Sequence, residues 1–139
     1  VHLCGAGKLD PSLGHLAGYV QYEYIKSELK DLFALADIVI SRAGANAICE
    51  LLALKKPSLL IPLSAAASRG DQILNARSFE KQGFSMVLEE EAVTNEALLQ
   101  AVHTLYENRA SFSSAMDSSQ QTDSIETIIR LIEEAAVHT

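Results

Sequence analysis

The sequence predicts an α/β protein built on a Rossmann-like parallel sheet with helices on both faces. Three observations carry this. Short β-branched or leucine-rich runs at residues 37–40 and 58–62 bracket one segment of helical spacing, which makes a βαβ unit. A glycine turn separates the first run from that helix, and a polar loop follows the second run. The chain has 139 residues, 48% of them apolar, which suits a single domain able to bury a core.

In chain order, Val1-His2-Leu3-Cys4 reads as a strand already under way, with no initiator Met, and Gly5-Ala6-Gly7 as the turn after it. His2 stands alone in that strand, where a hydrogen-bonded structural role is expected rather than catalysis. Residues 8–17, with Pro11 and Gly14, read as a surface loop. Tyr19, Val20, Tyr22, Tyr24 and Ile25 give residues 18–25 the composition of a second strand. Ser27 is expected to cap a helix with Glu28 in its first turn, and Leu29, Leu32, Phe33 and Ala36 form its apolar stripe.

Beyond the central unit, residues 71–82 read as a helix with Ile73, Leu74, Ala76 and Phe79 inward and Gly83 as a left-handed stop. Residues 84–88 form a last strand, and Glu89-Glu90-Glu91 a solvated turn. A helix over 94–106 takes Thr94 as N-cap, with Ala97, Leu98, Ala101, Val102 and Leu105 on its apolar face. A shorter helix over 108–115 and an exposed Ser- and Gln-rich loop over 117–122 follow. Asp123 and Glu126 then resemble a capping box opening a final helix with Ile125, Ile128, Ile129 and Ile132 inward.

The candidate site lies in the central unit. Ser41-Arg42-Ala43-Gly44-Ala45 precedes a helix, where free N–H groups point outward and the helix dipole favours an anion. Small residues at 43, 44, 45 and 47 let a ligand approach the backbone. Ala45, Ile48 and Leu52 face the sheet, while Asn46 and Glu50, four apart, stand on another face. A carboxylate at Glu50 can accept from both hydroxyls of a ribose. The second loop, residues 64–72, places Ser68, Arg69, Asp71 and Gln72 at the carboxyl end of the next strand, where open α/β sheets bind ligands. That set suits sugar hydroxyls. Against this stands a simpler account: a helix-start glycine commonly serves only turn or packing, and most helix glutamates are solvated.

The net charge of −7, with no run of Lys or Arg, argues against nucleic acid or an anionic membrane as a direct partner of this portion. Cys4 and Cys49 have neither disulfide-framework density nor metal spacing, so reduced thiols are expected. His2, His15, His103 and His138 share no ligand spacing, and no Asp-x-Asp pair is present, so neither a metal site nor a cofactor is expected. No run reaches the roughly 18 apolar residues of a membrane span, and no signal peptide is recognisable. The cytoplasm is the expected compartment.

SRAGANAICELLALKKPSLLIPL followed by ASRGDQILNA closely resembles the carboxyl-terminal, donor-nucleotide half of the bacterial MurG family of UDP-N-acetylglucosamine transferases, which make lipid II. The preceding GYVQYEYI and LFALADIVI resemble it too; the likeness is most specific over residues 36–76 and loose after about 89. It implies the C-terminal half of a GT-B glycosyltransferase, with residues 1–139 a partial UDP-sugar (donor) binding domain. It implies that Glu50 holds the ribose, and that Gly44, Ala45, Asn46 and Ala47 contact the diphosphate and sugar. Asp71 and Gln72 fall where some members carry paired glutamines on the N-acetylglucosamine hydroxyls, within a loop about two residues longer here. Arg42 and Asn75 join them as candidate substrate-binding residues. Tyr24, Ile25 and Lys26 fall near the uracil-packing loop.

On the same resemblance no catalytic residue is expected in this chain, because the acceptor loop and catalytic histidine belong to the family's other half. Lipid I and the membrane would be met through that half, with the full-length enzyme peripheral on the inner face of the cell membrane. The alternatives are a sugar-nucleotide binding subunit, or another UDP-sugar-using GT-B enzyme such as a lipid glycosyltransferase or an epimerase. The family's first strand would lie between the strand at 1–4 and the strand at 37–40, and its absence would leave a gap in the sheet. Upstream residues, strand exchange with a second copy, or direct pairing of the two flanking strands would each close it.

Overall fold

The computed structural model describes residues 1–120 and 124–137. The chain divides into two compact units, Val1–Leu35 and Ala36–Thr139.

In the first unit β1 (His2–Leu3) pairs in parallel with β2 (Gln21–Tyr22), His2 opposite Gln21 and Leu3 opposite Tyr22. Both strands are shorter than the runs at 1–4 and 18–25. The connection includes a 3₁₀ turn, Pro11–Leu13, where Asp10 Oδ1 accepts from Ser12 N–H at 3.0 Å. Gln21 clasps the Asp10 backbone, accepting from its N–H at 3.0 Å and donating to its C=O at 2.7 Å. His2 Nδ1 lies 2.8 Å from the Tyr19 hydroxyl, the structural role expected of it. Helix α1 spans Leu29–Leu35. Its first turn closes from Leu32 N–H to Glu28 C=O, so Glu28, not Ser27, takes the capping position.

The second unit holds a three-stranded parallel sheet in the order β3 (Val39–Ser41), β4 (Ser58–Leu60), β5 (Ser85–Val87). Helix α2 (Ala45–Ala53) joins β3 to β4; α3 (Ala65–Ser68) and α4 (Asp71–Lys81) join β4 to β5. Parallel strands require such crossovers, because a hairpin can join only antiparallel ones. All three residues of the central strand β4 are buried, as expected of a strand paired on both sides.

The core gathers Ile48, Leu51 and Leu52 from α2, Leu59 and Leu60 from β4, and Ala76 and Phe79 from α4. Phe84 meets Phe79 edge to face, ring centroids 5.4 Å apart. Such a pair adds about 0.5–1.5 kcal/mol beyond its buried area. Leu74, expected inward, is 63% exposed. Gly83, at φ +78, ends α4 as the left-handed stop its position suggests.

Three further helices follow: α5 (Asn95–Glu107), α6 (Arg109–Gln120) and α7 (Ser124–Val137). Thr94 caps α5, its Oγ1 accepting from Ala97 N–H at 3.0 Å. Residues 117–120, expected in a loop, continue α6, because Met116 and Ser119 are buried and keep the helical register against the core. Residues 121 and 122 of that loop, and the Asp123 end of the capping box, lie outside the described residues, as does the side chain of Glu126. The triple glutamate is not simply solvated: Glu89 pairs with Arg77 at 2.6 Å and Glu90 with Arg42 at 3.0 Å. No helix of the described residues is long and apolar enough to cross a membrane.

Candidate functional site

Helix α2 starts without a side-chain cap. Gly44 is its N-cap, at φ −65° and ψ 147°, and the first intrahelical bond runs from Ile48 N–H to Gly44 C=O. The N–H groups of Ala45, Asn46 and Ala47 therefore stand ahead of any intrahelical acceptor, at the positive end of the helix. The backbone at Gly44 is available to every residue, and a Cβ placed there would meet Gln72 Nε2 at 3.8 Å, an ordinary contact. Neither the turn nor the packing needs glycine here.

The turn opens into a cleft of about 240 Å³ lined by Gly44, Ala45, Ser68, Asp71, Gln72 and Asn75, with Ile132, Ala135 and Ala136 of α7 as an apolar wall. The two loops expected to share one crevice do so. The second is not all loop: Ala65–Ser68 makes one helical turn, ended by Arg69 at φ 56° and Gly70 at φ 86°. Two successive left-handed residues reverse the chain so that α4 begins at Asp71 on the cleft wall. The Ser68 hydroxyl lies 3.2 Å from Leu63 C=O and 3.1 Å from Ser64 C=O, so its proton goes to the backbone.

Of the residues expected from sequence, the cleft brings together Gly44, Ala45, Asp71, Gln72 and Asn75, whereas Arg42, Asn46, Ala47 and Glu50 do not line it. Asn46 and Glu50 are exposed on α2, off the face that buries Ile48 and Leu52. Arg42 turns to Ile61 C=O at 3.2 Å and to Glu90. Gln72 has structural duties that its sequence position does not reveal. Its Oε1 accepts from Ala43 N–H at 3.3 Å and from Leu63 N–H at 3.0 Å, stapling the glycine turn to the second loop. Asn75 is buried and donates from Nδ2 to Ala43 C=O at 3.0 Å. The backbone of Ala43 is thus held on both sides by α4, which fixes the start of α2 against it.

Sequence reasoning missed the α7 wall and Glu90. Ile132 reads as core from its spacing, and only the adjacent small pair Ala135-Ala136 hints at a close approach. Asp71 is the one ionisable side chain among the lining residues. A carboxylate there repels an anion, so that wall suits hydroxyl donors while the start of α2 suits a phosphate.

A parallel α/β unit whose cleft opens on an uncapped helix start, at the carboxyl end of its strands, defines a Rossmann-like ligand-binding domain. The chain belongs to glycosyltransferase family 28: the pattern of that family's C-terminal domain matches residues 1–132. It is 66% identical over 134 residues to the UDP-N-acetylglucosamine--N-acetylmuramyl-(pentapeptide) pyrophosphoryl-undecaprenol N-acetylglucosamine transferase of Lachnoclostridium phytofermentans, covering 96% of this chain and 38% of that protein. The protein of the same name from Geobacillus thermodenitrificans is 60% identical over 136 residues, with 98% and 38% covered. The chain therefore spans a little over a third of the length of these relatives. In fold it matches the crystal structure of Acinetobacter baumannii MurG, with a TM-score of 0.68 at 21% identity over 94% of this chain and 39% of that one. The resemblance read from residues 36–76 is borne out.

Proposed function

We propose that this chain is the donor-binding part of an inverting glycosyltransferase that moves N-acetylglucosamine from UDP-N-acetylglucosamine to lipid I, forming lipid II. The observation that carries this is Gly44, a glycine that neither backbone nor packing requires, at an uncapped helix start opening on the cleft. A missing Cβ there leaves room for a diphosphate against the N–H groups of residues 45–47. Those dipoles stabilise the charge that gathers on the departing diphosphate, the task a divalent metal performs in other sugar transferases. Asp71 and the Gln72 amide then face the sugar hydroxyls, and Glu50 takes the ribose. The acceptor lipid and the base that activates it belong to the rest of the enzyme, which works at the cytoplasmic face of the membrane.

Calorimetric titration with UDP-N-acetylglucosamine, UDP-galactose and UDP-glucose tests the reading. The N-acetylglucosamine donor should bind best. Equal affinity for all three would remove the sugar assignment, and no binding of UDP would remove the donor role.

A further inference from the structure

Glu90 lies in a short 3₁₀ turn, Glu90–Ala92, after β5, outside the lining of the cleft. Its two carboxylate oxygens serve two different loops. Oε1 accepts from Arg42 Nη2 at 3.0 Å, in the turn before α2, and Oε2 accepts from Ser64 N–H at 3.3 Å, at the head of the second loop. Arg42 in turn reaches Ile61 C=O, so three consecutive strand ends are tied at their carboxyl side.

Resting on the donor-binding reading above, we infer that Glu90 is a positioning residue that, beside the Gln72 staple, fixes the head of the second loop at Ser64 against the glycine turn and so tunes recognition of the sugar rather than of the nucleotide. The division follows from what remains when it is lost. The glycine turn keeps its bonds at Ala43 to Gln72 and Asn75, whereas Ser64 loses its bond to the turn after β5 and the second loop is left held through the Leu63 N–H bond to Gln72. A ligand resting on the start of α2 alone is little affected. A ligand that spans both loops meets a displaced partner.

The test is calorimetric titration of the 139-residue chain with UDP and with UDP-N-acetylglucosamine, for the parent, Glu90→Ala, Glu90→Gln, Arg42→Ala and the double variant Arg42→Ala/Glu90→Ala. Glu90→Ala should weaken the sugar nucleotide about three- to fivefold and UDP less than about twofold, the scale of an exposed ion pair with one charge-assisted hydrogen bond. Glu90→Gln keeps an acceptor for Ser64 and should recover part of the loss; it also serves if the alanine variant fails to fold. Arg42→Ala should weaken the sugar nucleotide as Glu90→Ala does, and the double variant should be no weaker than Glu90→Ala. Equal losses for both ligands, unchanged binding, additive losses, or no recovery by glutamine would overturn the inference while leaving the donor site standing. A parent chain that fails to bind UDP would overturn the donor reading itself, and this inference with it.

Discussion

Gly44 and Gln72 show how much one residue's surroundings change its meaning. Gly44→Ala should leave stability within about 0.5 kcal/mol, since the conformational entropy lost from the unfolded chain offsets a poorer N-cap. The same change should weaken UDP binding by about 1.5–3 kcal/mol, the range for hydrogen bonds to a charged group. Thermal melts and titration calorimetry measure the two separately, and a large loss of stability would return the glycine to a packing role. Glu50→Ala should likewise weaken UDP by about 1.5–3 kcal/mol and leave the fold intact, because Glu50 is exposed. For Gln72→Ala, residue type and loop position suggest a loss confined to the sugar nucleotide. The structure changes that expectation: with its oxygen on Ala43 N–H, removal should loosen the glycine turn and weaken UDP as well. Comparing the two ligands on this variant decides between direct contact alone and the staple.

At the scale of elements, α6 and the meeting of α2 with α7 are where packing speaks most clearly. A Ser- and Gln-rich stretch has low intrinsic preference for helix, yet residues 117–120 remain helical because Met116 and Ser119 are carried into the core. Met116→Ala should therefore cost about 2–5 kcal/mol in urea denaturation. A surface loop position would cost almost nothing. Cys49 reports on the α2 and α7 neighbourhood: burial, and then the Glu133 carboxylate, push its thiol up from the ordinary value. Because the folded value lies above the unfolded one, the protonated thiol favours the fold. That contribution is fully present below the ordinary thiol range and is lost as pH rises through the raised folded value. At pH 8 Cys49 should react with a thiol reagent more slowly in the folded chain than in urea.

For the whole molecule, the second unit carries the entire cleft, since every lining residue falls between 44 and 136. If helix-start N–H groups take the place of a metal as proposed, UDP binding should persist in the presence of a chelator; loss of binding on adding EDTA would refute that. On the proposed division of labour, transferase turnover by the 139-residue chain alone is expected to be absent, as its cleft lining offers Asp71 as the one ionisable group. A transferase assay with lipid I settles it, and measurable turnover would place the base within these residues.

What the sequence determined by itself is the local and periodic part of this protein. The βαβ unit, the glycine turn, Thr94 as a cap, Gly83 as a stop and the shared crevice all follow from spacing, capping chemistry and strand polarity, which act within a few residues. Only the tertiary structure decided which polar side chains line the cleft and which hold the frame. Gln72, Asn75, Arg42 and Glu90 each bond to groups 9 to 48 residues away, and α7 supplies a wall to a cleft that begins some ninety residues earlier. Such contacts depend on where the backbone's unpaired N–H and C=O groups come to rest, and each must find a partner once buried. Here partners far apart in the chain meet it, so it leaves no period or motif in the sequence.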